Sequence, residues 1–160
     1  MTHRPLAHPR PLAPAGAQAH PGAVPRPPCI LVIDDELVVA ERVRAACHEV
    51  LPDAQVVSAG SAADASRALS HSVPDLIILD LVLGNDTGYD VIPEVRAVAP
   101  HVPIVVMSSH DSESTRYICA QRGAKAFEPK PADAAGYPDL IRRIQPHLRA
   151  SPVSLGRFHR

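Results

Sequence analysis

The sequence predicts an α/β fold, a doubly wound five-stranded parallel sheet with helices on both faces. Three observations lead there. The runs Cys29–Ile33, Leu76–Leu79 and Pro103–Met107 are continuously apolar and rich in β-branched residues, as strands buried on both faces are. Two shorter strand candidates, 55–58 and 124–128, complete a set of five. Each strand is followed by a stretch long enough for a helix, and five βα units fit a compact domain of the flavodoxin-like type.

Each element has a local reason. The first strand follows the proline pair Pro27-Pro28. Residues 36–50 then read as a helix, with Val39, Val43, Ala46 and Val50 at helical spacing and Pro52 just past its end. After strand 55–58, Ser61 can cap a second helix, with Asp64 at capping-box distance and Ala62, Ala65 and Leu69 on one face. The buried run Leu76–Leu79 enters through Pro74-Asp75 and leaves into a loop, 83–88. A third helix spans about 89–98 and carries Pro93 inside it, predicting a late start or a bend. The run Pro103–Met107 follows, then a helix over 112–122 that Gly123 can terminate. The short strand 124–128 and a last helix, 139–148, interrupted near its end by Pro146, complete the order.

Composition narrows the function classes. No apolar run approaches the roughly 20 residues that cross a bilayer. Residues 1–28 carry three arginines and no acid, and residues 151–160 carry two arginines and no acid. The interval 29–150 holds all 17 acids against 11 basic residues, which argues against direct DNA binding by the domain. Cys29, Cys47 and Cys119 lack metal-ligand spacing and read as reduced, buried thiols of a cytoplasmic protein. Eight prolines in residues 1–28 predict a disordered or polyproline-like extension. The domain is thus expected at 29–149, with a short basic tail at 150–160.

In an open parallel sheet, ligands bind beyond the carboxyl ends of the strands. The strands here end in Asp34-Asp35-Glu36, in Asp80, in Ser108-Ser109 and in Pro129-Lys130-Pro131. Clustered carboxylates repel unless a cation intervenes, and an oxygen-seeking divalent ion such as Mg2+ suits them. One carboxylate can then serve as a nucleophile towards phosphorus, with an ammonium and a hydroxyl to receive the phosphoryl oxygens.

The segments ILVIDDE (30–36), DLIILDLVLGNDTGYD (75–90), PIVVMSS (103–109) and GAKAFEPKP (123–131) resemble the receiver domain of two-component response regulators. The resemblance covers about three quarters of the chain. It implies Asp80 as phosphoacceptor, and Asp34, Asp35, Asp80 and the backbone carbonyl of Val82 as ligands of Mg2+. It further implies Ser108 as the hydroxyl that follows the phosphoryl group, Lys130 as the phosphate-binding lysine, and Phe127 as an aromatic switch. The Lys130–Pro131 bond is expected to be cis. A histidine kinase or histidine phosphotransfer protein would donate the phosphoryl group, and a downstream protein would read the switched surface, with a phosphorylation-dependent homodimer as one form. The protein would be a signalling switch rather than an enzyme.

Four positions depart from the family pattern. Gly84 stands where proline is usual, predicting a more mobile loop. Pro129 removes a backbone donor beside Lys130. Val82 and His110 occupy the positions that tune acyl-phosphate hydrolysis. With about ten residues after the last helix, the expected output is a protein–protein contact or relay. The alternatives are a receiver cut from a longer regulator and a pseudo-receiver that keeps the fold without phosphorylation. A phosphatase or mutase would want a second aspartate where Val82 stands, and a flavin site would want a Ser/Thr/Gly-rich loop in place of Asp34-Asp35-Glu36.

Overall fold

In chain order the elements are β1 (Cys29–Ile33), α1 (Leu37–Val50), β2 (Gln55–Ala59), α2 (Ala62–His71), β3 (Leu76–Leu79), β4 (Val82–Leu83), β5 (Asp86–Thr87), α3 (Gly88–Val98), β6 (Ile104–Ser108), α4 (Glu113–Arg122), β7 (Ala126–Pro129) and α5 (Tyr137–Ile144). They come from a computed structural model that describes residues 26–149. The expected extension up to residue 25 and the tail from residue 150 lie outside the described residues.

Five strands form one parallel sheet in the order β2-β1-β3-β6-β7, and β4 and β5 form a separate antiparallel hairpin. The reversal of strand order at β1 and β3 is where a doubly wound sheet opens a crevice. Strand side chains alternate between faces. Leu31, Ile33, Ile77, Leu79, Ile104 and Val106 pack against α2, α3 and α4. Their neighbours Ile30, Val32, Leu76, Ile78, Val105 and Met107 pack against α1 and α5. Burial on both faces explains why these runs carry no polar alternation. All three cysteines are buried and free.

The caps follow the sequence. The hydroxyls of Ser61 and Ser112 accept the N–H groups of Asp64 and Thr115 at 3.1 Å each. Gly123 ends α4 in the left-handed region, φ 107°, and a Cβ there would stand 3.1 Å from Arg96 Nε. The helix around Pro93 neither starts late nor ends at the proline. Pro93 cannot donate to the carbonyl of Tyr89, and Arg122 Nη1 donates to that carbonyl instead at 2.8 Å. The last helix begins at Tyr137, two residues earlier than expected, and Pro146 converts its end to a 3-10 turn over Gln145–His147.

Residues 26–28, assigned from proline content to the extension, belong to the domain. Arg26 Nη2 pairs with buried Asp75 Oδ1 at 2.8 Å, and Gln55 N–H donates to the Pro28 carbonyl at 2.8 Å. The N–H of Arg149 donates to the Asp75 carbonyl at 3.1 Å, so both ends of the domain meet at the residue preceding β3.

Candidate functional site

The parallel register carries the four strand ends to one edge. Ile33 pairs with Leu79, so Asp34 and Asp80 leave adjacent strands side by side. Their backbone N–H groups are held by Ala59 O at 3.0 Å and Ile33 O at 2.9 Å. On the other side Ser108 pairs with Pro129, and Lys130 N–H donates to the Ser108 carbonyl at 3.0 Å. Pro129 therefore ends an edge strand, a position that tolerates a missing donor.

Asp34, Asp35 and Asp80 each offer a carboxylate oxygen within 4.8 Å of the others. Asp34 and Asp80 are buried and Asp35 is exposed. The ammonium of Lys130 lies 2.9 Å from Asp34 Oδ2, 2.9 Å from Asp80 Oδ2 and 3.3 Å from Glu36 Oε1. Desolvation alone would push Lys130 down, but its close contacts with the Asp34 and Asp80 carboxylates outweigh that and raise it well above its ordinary value. Burial raises the Asp34 carboxyl, and Lys130 and the Glu36 N–H offset only part of that. The contact between Asp34 Oδ2 and Nζ is short but not aligned as a hydrogen bond, leaving a buried oxygen without a directional donor.

That oxygen tests the fit of a divalent cation. Three carboxylates share one ammonium, and one buried oxygen has spare acceptor capacity. An all-oxygen set of this kind suits a hard cation. Val82 can add its carbonyl. Gly88 N–H donates to Leu81 O at 3.0 Å, so ladder alternation makes Val82–Thr87 the pair without mutual hydrogen bonds. The Val82 N–H meanwhile donates to Asp80 Oδ1 at 3.3 Å.

The segment after Asp80, expected as a mobile loop, is a hairpin turning at Gly84-Asn85. Gly84 has φ 60°, which suits the first central position of a type II′ turn. Asp86 Oδ2 accepts the Ala62 N–H at 3.2 Å and ties the hairpin to the start of α2. Gly88 closes against the backbone of Asp80, since a Cβ there would stand 2.3 Å from the Asp80 carbonyl oxygen.

Ser108 is fully buried, and its hydroxyl accepts the His110 N–H at 3.1 Å. Val82 and His110 line the same cleft as Asp80 and Lys130. Phe127 is half-buried under Arg116, whose guanidinium stands 4.7 Å from the ring centroid. Arg116 also pairs with both oxygens of Asp111, at 2.6 and 2.7 Å, linking the loop after Ser108 to the aromatic ring. The Lys130–Pro131 bond, expected cis, is trans, as are all described peptide bonds. Trans is the lower-energy isomer by roughly 0.5–1 kcal/mol, and Lys130 reaches its carboxylates from it.

Residue patterns missed Glu36, Gly88, Arg116 and Tyr137. Glu36 was legible as the third acid of its run, and Gly88 as the glycine ending the loop. Tyr137 had no local signal. It lines the cleft, its hydroxyl is buried without a hydrogen-bond partner, and burial raises its pKa.

Comparison with known proteins agrees with this geometry. The profile of the response regulator receiver domain matches residues 30–144. The regulatory protein LuxO of Vibrio vulnificus (strain YJ016) is 37% identical over 103 residues, 64% of this chain and 22% of that protein. The DNA-binding transcriptional regulator NtrC of Bradyrhizobium sp. is 31% identical over 134 residues, 81% of this chain and 27% of that protein. The chain therefore spans about a quarter of the length of these relatives. The Mn(2+)-bound response regulator Rcp1 superposes with a TM-score of 0.66 at 18% identity, covering 80% of this chain and 99% of that one.

Proposed function

The chain belongs to the response regulator receiver domain family, and from that premise we propose that it is a phosphorelay switch in which Asp80 accepts a phosphoryl group from a histidine kinase or histidine phosphotransfer protein. The observation that carries this reading is the shared ammonium: Lys130 reaches Asp80 and Asp34 at 2.9 Å each, beside a third carboxylate.

Asp80 lines the cleft, and its Oδ1, which has only a long contact to the Val82 N–H, is the oxygen that would attack phosphorus. As the bond to phosphorus forms, the bond to the donor's imidazole nitrogen breaks, and that nitrogen leaves with its electron pair. Lys130 exchanges its carboxylate contacts for a phosphoryl oxygen. Ser108 gives up its bond with the His110 N–H to donate to another. Asp34, Asp35, Asp80 and the Val82 carbonyl would hold Mg2+, which when bound offsets the charge of the carboxylates and the phosphoryl oxygens.

Movement of Ser108 and its loop reaches Phe127 through Asp111 and Arg116. Rotation of Phe127 into the core then alters the face presented by α4 and β7, and a downstream protein or a second copy reads that face. On this reading the protein acts in the cytoplasm as a switch, not as an enzyme. A second reading, the receiver part of a longer regulator, is favoured by its span of about a quarter of its relatives.

The test is incubation with Mg2+ and acetyl phosphate, followed by intact mass. One phosphoryl group is expected on the wild type and none on Asp80→Ala. A gain that persists in Asp80→Ala, or none on folded wild type, overturns the assignment.

A further inference from the structure

At the opposite pole, where the strands begin, a shallow groove of about 420 Å³ collects five basic side chains: Arg96, His101, Lys125, His147 and Arg149. They come from four separate parts of the chain: α3, the turn before β6, the turn before β7, and the segment after α5. No acid lines the groove, and among the described residues none of the five makes an ion pair.

Arg96 is the fixed member. Its Nε and Nη2 donate to Gly123 O at 3.1 and 2.6 Å, and its Nη1 donates to Pro100 O and Val102 O. Every partner is a neutral carbonyl. Desolvation lowers its pKa, so a partly buried positive charge is held without a counter-ion. Residues 1–25 and 150–160 contain no Asp or Glu that could supply one. Burying an unpaired charge is costly, and an anion from outside would offset that cost.

We infer that this groove is a docking site for a short acidic polypeptide segment of a partner protein. The scale of the groove and its charge choose the occupant. A nucleic-acid backbone would run past the groove onto a domain holding 17 acidic and 12 basic residues over 26–149, which would repel it. A few carboxylates on an extended chain fit within the groove, and Pro100 and Pro103 offer apolar contact to their stems.

Fluorescein-labelled hexaglutamate, titrated into the full chain by anisotropy, tests the site. Binding is expected to weaken by about tenfold in the double variant Lys125→Glu, Arg149→Glu, the loss of roughly one charge-assisted contact. Amide shifts from ¹⁵N NMR should cluster at residues 100–103, 123–125 and 147–149. Should the double variant lose its melting transition, Lys125→Gln alone, at an exposed position, should weaken binding by about threefold. Unchanged binding in Asp80→Ala would support the inference and separate it from the phosphoacceptor chemistry. Full affinity in the charge variants, or shifts centred on Lys130 or the terminal segments, would overturn it. So would tighter binding of a single-stranded oligonucleotide of equal charge, or full competition by inorganic phosphate.

Discussion

Asp75 and Asp80 flank one buried strand, β3, and both side chains are withdrawn from water. At the amino end, each carboxylate oxygen of Asp75 has a donor. Its Oδ1 takes Arg26 at 2.8 Å and its Oδ2 takes the Cys29 N–H at 2.8 Å. At the carboxyl end, Asp80 shares one ammonium with Asp34 and Glu36, and its other oxygen has only a 3.3 Å contact to the Val82 N–H. The same residue type at the two ends of one strand, with similar burial, therefore meets two different settings. A carboxylate with a donor on each oxygen fastens Arg26 and the start of β1 to the residue preceding β3. One crowded by like charge and short of donors is poised to take a cation and react. On the proposed function, the satisfied carboxylate lies at one pole and the reactive one at the other, an arrangement in which a functional site gives up some stability.

The sharpest way to break this comparison is to truncate both. Asp75→Ala removes a buried acceptor of two charge-assisted bonds and should cost about 2–3 kcal/mol in urea unfolding, discounted because Arg26 is partly exposed. Asp80→Ala relieves repulsion at the other pole and should leave stability unchanged or raise it by up to about 1 kcal/mol. Equal losses would erase the distinction.

Next in size is Gly88→Ala. The added methyl meets the Asp80 carbonyl, and the overpacking should cost about 1–3 kcal/mol, measured in the same unfolding series. Phosphoryl incorporation from acetyl phosphate should fall with it, because the displaced backbone is that of the acceptor.

Titration sharpens the comparison further. Asp34 is raised by burial, so the folded state holds its proton more tightly than the unfolded chain does. Its contribution to stability is therefore greatest at low pH and is lost as pH rises from the ordinary carboxylate value of 3.8 through the raised one. A divalent cation requires the carboxylates deprotonated and offsets this loss. The increase in melting temperature on adding Mg2+ should be larger at neutral pH than in the acid range where Asp34 titrates, and absent in Asp34→Asn, Asp35→Asn.

The smallest effect belongs to Tyr137→Phe. Its hydroxyl is buried and unpartnered, so removal should be neutral or stabilising by up to about 1 kcal/mol. A loss of more than that in thermal unfolding would mean the hydroxyl has a partner in solution.

Much of this was legible in the chain. The apolar runs that became β1, β3 and β6 carry their burial in their composition. Ser61, Ser112 and Gly123 are local signals that act within one turn of their helices. The acidic and basic strand ends followed once the strands were placed in parallel. The misses share a cause. Pro93 suggested a late start for its helix because Arg122, which takes the carbonyl that Pro93 leaves free, is 29 positions away. Gly84 suggested a loop because the hairpin it permits, with Asp86 of β5 accepting the Ala62 N–H of α2, depends on a partner 24 positions away. Arg26 looked like extension because its partner lies 49 positions on.

The sequence by itself determined the period of each element, the sheet it implies, and the residue types at each strand end, because these depend on neighbours within a few positions. Only the tertiary structure decided how those groups share one another. Lys130 meets Glu36 across 94 positions and Asp80 across 50. The basic groove gathers four segments that no window of sequence contains. Charge energies depend on distance and burial in three dimensions, so whether an aspartate has a donor on each oxygen like Asp75 or shares one ammonium with other acids like Asp80 is settled only when the sheet assembles.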